Sequence, residues 1–219
     1  MVTLDRHAVV QRIVDSGVVA VVRGADAETV VDTARALREG GVTAVEITVE
    51  SPGATSMLAD VADAFEDGEA VVGAGTVLDG GTANRAIDAG AQFVVSPTFE
   101  QSVVDTCNRY GVPVAPGAFT PTEALDAYER GADFVKIFPA SSAGPGHLKS
   151  IAGPLPQIPL MPTGGVDLDN VADFVEAGAV AVGAGSALVD DEAVAAGDFE
   201  RLTETARAFT EEIEAAREN

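Results

Sequence analysis

The chain has 219 residues, 47% of them hydrophobic, and carries 35 acidic against 13 basic side chains for a net charge of -22. That is enough apolar material for a large core and enough length for one α/β barrel, which can be as short as about 200 residues. The acid excess excludes a nucleic-acid or anionic-membrane partner, because no basic stripe could neutralise phosphates, and the single Cys107 excludes an internal disulfide.

From the amino end, Met1 to Val10 carries Asp5 and Arg6 and has no apolar h-region, so it is not read as a signal peptide. The longest apolar runs fall far short of the ~20 residues of a membrane span, and a cytoplasmic protein is expected. A helix over Asp5 to Ser16 is expected to close the floor of the fold. After it, glycines recur at close to one βα unit: Gly40-Gly41, Gly68, Gly90, Gly111, Gly131, Gly153 and Gly178. Each ends a helix-like segment, as glycine does in the left-handed cap position, and most precede a short apolar run.

The units read in order as follows. Val18 to Arg23 is the first strand, with a helix from Asp26 to Glu39; Ala44 to Thr48 is the second, with a helix after Pro52-Gly53. Ala70 to Gly73 precedes a helix from Asp79 to Ala89, and Phe93 to Ser96 one from Phe99 to Tyr110. Pro113 to Ala115 is the fifth strand, and the helix behind it opens on a capping box of Thr120, Pro121 and Glu123. Phe134 to Phe138 is the sixth, Pro159 to Met161 the seventh (with a helix from Leu168 to Ala177) and Ala179 to Gly183 the eighth. A last helix, Phe199 to Ala216, has Leu202, Ala206, Phe209 and Ile213 on one face. Eight strands with no linker predict one domain, a single closed (β/α)8 TIM barrel with an extra N-terminal helix. An open doubly wound sheet is the alternative.

In such a barrel the chemistry collects where the strands end. Lys136 lies inside the apolar strand Phe134-Val135-Lys136-Ile137-Phe138, in a chain whose only other lysine is Lys149. A buried ammonium finds a partner or tends toward the neutral amine, which is a nucleophile for carbonyl carbon. A snorkelling side chain or a structural ion pair is the other reading. Strand alternation puts Ala44, Glu46 and Thr48 on one face, inward in a barrel, with Lys136 as the expected partner of the Glu46 carboxylate. A lysine and a carboxylate on one rim can do Schiff-base chemistry, and an inert buried pair is the competing reading.

Thr163-Gly164-Gly165 and Gly183-Ala184-Gly185-Ser186 follow the last two strands, where many barrels hold phosphate on backbone N–H groups. Loop geometry alone is the other reason for such glycines. Arg23, at the end of the first strand, could bind a carboxylate with its planar fork or pair with a surface acid, and Thr76 could add a hydroxyl. His7 and His147 are isolated, the latter in an expected loop, and no cluster has metal-ligand spacing. No metal or cofactor is expected. The acid excess with almost no lysine predicts adaptation to high salt, where the Debye length is about 3 Å or less and self-repulsion is screened.

The run Val45-Glu46-Ile47-Thr48, then Gly73-Ala74-Gly75-Thr76-Val77, Ser96-Pro97, Pro116-Gly117, Lys136-Ile137-Phe138-Pro139 and Pro162-Thr163-Gly164-Gly165, resembles the 2-keto-3-deoxy-6-phosphogluconate (KDPG) / 4-hydroxy-2-oxoglutarate aldolase family over residues 8–215. The resemblance implies a metal-free class I aldolase, usually a homotrimer, acting on a phosphorylated 2-keto acid. It implies a Schiff base at Lys136 with the substrate C2 carbonyl, Glu46 as general acid/base, and cleavage to pyruvate and glyceraldehyde 3-phosphate. Thr76 matches a position contacting the pyruvyl carboxylate, Pro97 lines that pocket, and Phe138 in the lysine motif counts with the substrate-binding residues. Thr163, Gly164, Gly165, Gly185 and Ser186 match the phosphate end. One position departs: some members carry a carboxylate-binding arginine where this chain has Glu50, and Arg23 is expected to take over that task. The C4 epimer 2-keto-3-deoxy-6-phosphogalactonate and the unphosphorylated hydroxyoxoglutarate are alternative substrates. A sugar-phosphate isomerase or epimerase, and a non-catalytic sugar-phosphate sensor, are alternative classes.

Overall fold

The computed structural model of the chain describes residues 5–65 and 68–218; the start of the amino-terminal segment, 1–4, lies outside them. The chain alternates strand and helix. α1 (Arg6–Ser16) is followed by β1 (Val18–Val22), α2 (Val30–Glu39), β2 (Ala44–Thr48), α3 (Ala54–Ala64), β3 (Val71–Gly75), α4 (Gly80–Asp88), β4 (Phe93–Val95) and α5 (Gln101–Tyr110). Then come β5 (Val114–Ala115), β6 (Gly117–Ala118), α6 (Pro121–Glu129), β7 (Val135–Ile137), α7 (Ala140–Ala152), β8 (Leu160–Pro162), α8 (Val171–Glu176), β9 (Val182–Ala184), α9 (Asp191–Ala196) and α10 (Phe199–Arg217).

The expected closed eight-stranded (β/α)8 TIM barrel is not what forms. The strands make a six-stranded parallel sheet in the order β5-β4-β3-β2-β1-β9 and a separate three-stranded parallel sheet, β6-β7-β8. The ladder opens at two places. Pro116, just past the expected fifth strand, has no N–H to give to a ladder, and the pairing changes there: β5 pairs back to β4, while β6, a strand not expected from sequence, pairs forward to β7. On the other side β8 and β9 meet only through the isolated bridges Leu160↔Ala179 and Thr163↔Gly183. The class is α/β, with nine strands among the described residues.

Two apolar layers follow from strand alternation. On β2, Val45 and Ile47 pack outward under the helices, in the same layer as Leu37, Leu58 and Phe209. Ala44 faces the other way, into an inner cluster with Val19, Val71, Phe93, Phe134 and Met161. Val9 and Ile13 of α1 complete that inner cluster, so α1 covers the amino ends of the strands. Its position is pinned by Arg6, which donates to Asp133 Oδ1 at 2.8 Å and to Oδ2 at 2.7 Å.

Local signals read from sequence form as expected at several ends. The α6 capping box is present in both directions, with Pro121 in the first turn. Leu202, Ala206, Phe209 and Ile213 are the buried stripe of α10. His147 is a correction: it lies on α7, not in a loop, with Nε2 2.6 Å from the Phe119 carbonyl and its ring stacked on Phe119 at 4.9 Å. Sequence reading passed over α7 because Gly144, Pro145 and Gly146 interrupt it, and Gly144 is non-helical (φ 72°, ψ 165°). No helix among the described residues is long and apolar enough to cross a membrane.

Candidate active site

Lys136 is the middle residue of β7, between the fully buried Val135 and Ile137. Its neighbours in register are Gly117 on β6 and Met161 on β8. It is 4% exposed, and its Nζ stands 5.2 Å from the centroid of the Phe138 ring. An aromatic face favours a cation without neutralising it as a carboxylate would. Glu46, expected as its ion-pair partner, is not bonded to it: no salt bridge joins the two among the described residues.

Glu46 is 1% exposed on the inward face of β2. Burial raises its pKa above the ordinary 4.5, against the attraction of Lys136 and then Arg23, with Glu50 adding repulsion. Desolvation therefore wins over two nearby cations, and the carboxyl is held toward its protonated form. Such a group can donate a proton and take it back. Next to it on the same strand face, Thr48 is fully buried and its Oγ1 has no hydrogen-bond partner.

A cleft of about 510 Å³ opens beside Lys136. Its walls bring together Arg23, Lys136, Phe138, Thr163, Gly164, Gly165, Gly185 and Ser186, all singled out from sequence. Glu46, Thr76 and Pro97 are not on its walls: Glu46 is the middle residue of β2, while Thr76 and Pro97 lie just past the ends of β3 and β4. Thr76 directly follows β3 and is a β-branched residue at φ 59°, a conformation that costs a non-glycine residue of order 1–3 kcal/mol. The Pro97 carbonyl packs so close to Gly117 that a Cβ there would lie 2.1 Å from it. Asp167 and Asp191 also line the cleft and were missed. In a chain with 35 acids nothing in the sequence marks two of them out.

The glycine turns are built around their carbonyls. Thr163 O accepts from Ala140 N and Gly164 O from Ser141 N, both at 2.8 Å, while Gly185 O accepts from Leu188 N and Val189 N. A trans peptide points its N–H opposite to its C=O. The N–H groups of Gly164, Gly165 and Ser186 are therefore aimed away from those contacts, in turns that line the cleft. Gly164 and Gly165 sit at φ 88° and 83°, where a side chain is strained, and a Cβ on Gly165 would reach within 2.5 Å of Ser141.

Arg23 lies 3.8 Å from Glu50, and both side chains are exposed. Glu50, the departure noted from sequence, thus stands beside the Arg23 that was expected to bind the carboxylate. Among the described residues no group of His, Cys, Asp and Glu is placed to hold a metal ion.

A parallel α/β fold with a buried lysine in no salt bridge and a protonatable carboxyl on its inward strand faces has the groups that a carbon–carbon lyase working through lysine needs. Residues 9–205 match the family described as KDPG and KHG aldolase. The chain belongs to that family. It is 40% identical over 177 residues to the 2-dehydro-3-deoxy-phosphogluconate aldolase of Treponema pallidum (strain Nichols), covering 80% of this chain and 83% of that one. Among solved structures it is similar to one titled "Native KDPGal structure", with a TM-score of 0.86 and 33% identity over 92% of this chain and 96% of that one. It is also similar to the KDPG aldolase of Legionella pneumophila, with pyruvate captured at low pH as a covalent carbinolamine intermediate. There the TM-score is 0.84 and the identity 29%, over 92% of this chain and 97% of that one.

Proposed function

We propose that this chain cleaves 2-keto-3-deoxy-6-phosphogluconate to pyruvate and glyceraldehyde 3-phosphate through a Schiff base on Lys136. The carrying observation is Lys136 itself, buried at the edge of the cleft with no carboxylate bonded to it. The neutral amine adds to the C2 carbonyl to give a carbinolamine, and loss of water gives the imine. Removal of the C4 hydroxyl proton breaks the C3–C4 bond. The electron pair passes into an enamine and the aldehyde leaves. Protonation at C3 and addition of water return pyruvate and the free lysine. Glu46 is the group assigned to move these protons, because its carboxyl is held toward the protonated form near Lys136.

The remaining assignments rest on position and chemistry. Gly164, Gly165, Gly185 and Ser186, with Thr163, hold the phosphate through backbone N–H groups and hydroxyls. Arg23 takes the substrate carboxylate; Thr76, Pro97 and Phe138 shape the pyruvyl end, and the left-handed conformation of Thr76 is the kind of strain that gathers at such sites. We also propose one domain, a homotrimer and a cytoplasmic setting of high salt. The trimer rests on the family resemblance and the salt on the net charge of -22; sedimentation across a salt series tests both.

The test of the reaction is intact mass after incubation with pyruvate and borohydride in molar salt. Wild type gains one reduced pyruvyl group and Lys136→Ala gains none. Folded wild type without an adduct would overturn the imine mechanism. A second reading takes the C4 epimer as the substrate. It is favoured by Glu50, which faces Arg23 at 3.8 Å instead of supplying the family arginine. The ratio of kcat/KM on the two epimers separates the readings.

A further inference from the structure

Gly75 ends β3, and nothing in its own backbone calls for glycine: it is not among the residues at positive φ. What it lacks is room for a side chain. A Cβ on Gly75 would lie 1.7 Å from Glu46 Oε1, 2.4 Å from Cδ and 2.6 Å from Cγ. The neighbouring Gly73 is explained differently, since its Cβ would strike the Phe93 ring at 2.4–2.5 Å in the inner apolar layer.

The register explains the geometry. Glu46 pairs with Gly73, while Gly75 pairs with Thr48, two residues further along β2. Side chains on strands lean along the strand direction. The Glu46 side chain accordingly runs toward the carboxyl end of the sheet, and its carboxylate fills the volume that a side chain on Gly75 would take. Gly75 is held against sliding away, because its carbonyl accepts from Val49 N at 2.9 Å and it is paired in the ladder with Thr48.

We infer that Gly75 is a positioning residue for the reaction: its missing side chain is the seat of the Glu46 carboxylate. The inference rests on the aldolase reading for its kinetic consequence, though the steric pairing stands on the geometry alone. A methyl group at position 75 leaves the β3 backbone able to form and pushes the carboxylate off its seat. Glu46→Ala removes the colliding atoms, so the same methyl then costs nothing.

The experiment is a cycle of wild type, Gly75→Ala, Glu46→Ala and the double variant, read by aldol cleavage and thermal unfolding. Gly75→Ala is expected to lower kcat at least 100-fold, the lower end of what loss of a general acid/base costs. KM should move less than about threefold, and the pH dependence of kcat should lose the limb given by Glu46. Adding Gly75→Ala to Glu46→Ala should cost no more than about threefold further in kcat and leave Tm no lower. Retention of more than a third of kcat in Gly75→Ala, or losses that simply multiply in the double variant, would overturn the inference. Should Gly75→Ala fail to fold, a folded double variant supports the pairing and an unfolded one overturns it. Wild type that traps no pyruvate would sink the aldolase reading, and the Tm cycle would still decide the seat of Glu46.

Discussion

Replacing Glu46 with glutamine keeps the size of the side chain and removes its titration. Burial raises the Glu46 pKa above 4.5, ahead of the opposing pull of Lys136 and Arg23. Between 4.5 and that raised value, the folded chain holds a proton that the unfolded chain has released. Stability from this group is full below about pH 4.5 and is lost as pH rises through the raised pKa. The loss has a slope of up to about 1.4 kcal/mol per pH unit. For a chain of this size, at roughly 2–4 °C per kcal/mol, that is about 3–6 °C of Tm per unit. Glu46→Gln has no such slope. The assay is thermal unfolding of both proteins from pH 4 to 9 at constant high salt, where the difference cancels the many other carboxylates. Wild type should match or exceed the variant at the acid end and fall behind it as pH rises. The same substitution should lower kcat by ~10²–10⁴, or about 2.7–5.4 kcal/mol in barrier. A difference that is flat with pH, or that grows in favour of wild type at high pH, would refute the claim that desolvation dominates at Glu46.

Asp133 accepts two bonds from Arg6 and one from Val114 N at 2.8 Å, tying α1 to the sheet. Asp133→Ala should cost roughly 2–3 kcal/mol, less than the full worth of two charged bonds because Arg6 is partly exposed. Asp133→Asn should recover part of it in a denaturant titration, and a loss under about 0.5 kcal/mol for the alanine variant would contradict the anchoring role. Cys107 is buried and burial pushes its thiol up to about 12. It should ignore a disulfide reagent at pH 8 in the native protein and react once on unfolding, an outcome that stoichiometric labelling of native protein would reverse.

Much of this site was legible because its signals are local. A charged residue inside an apolar run marked Lys136, strand alternation turned Glu46 inward with Ala44, and glycine pairs after the last strands marked the turns that line the cleft. The α6 capping box was readable because Thr120 and Glu123 satisfy each other within one turn. What stayed hidden depends on contacts far apart in the chain. Asp167 and Asp191 reach the cleft only because the segments after β8 and β9 come together on its walls. The distance between Lys136 and Glu46 is set by strands on separate sheets, and the ion pair expected from sequence does not form.

The sequence by itself located the alternating strand and helix segments to within a few residues, turned one face of β2 inward and singled out Lys136 and Glu46, since periodicity, caps and burial cost act within a few residues. Tertiary structure decided that the ladder opens at Pro116 and between β8 and β9, that helix forms on both sides of the kink at Gly144, and that Gly75 yields its volume to Glu46. Those outcomes turn on which backbone approaches which, and close approach between segments dozens of residues apart is a property of packing that no local pattern encodes.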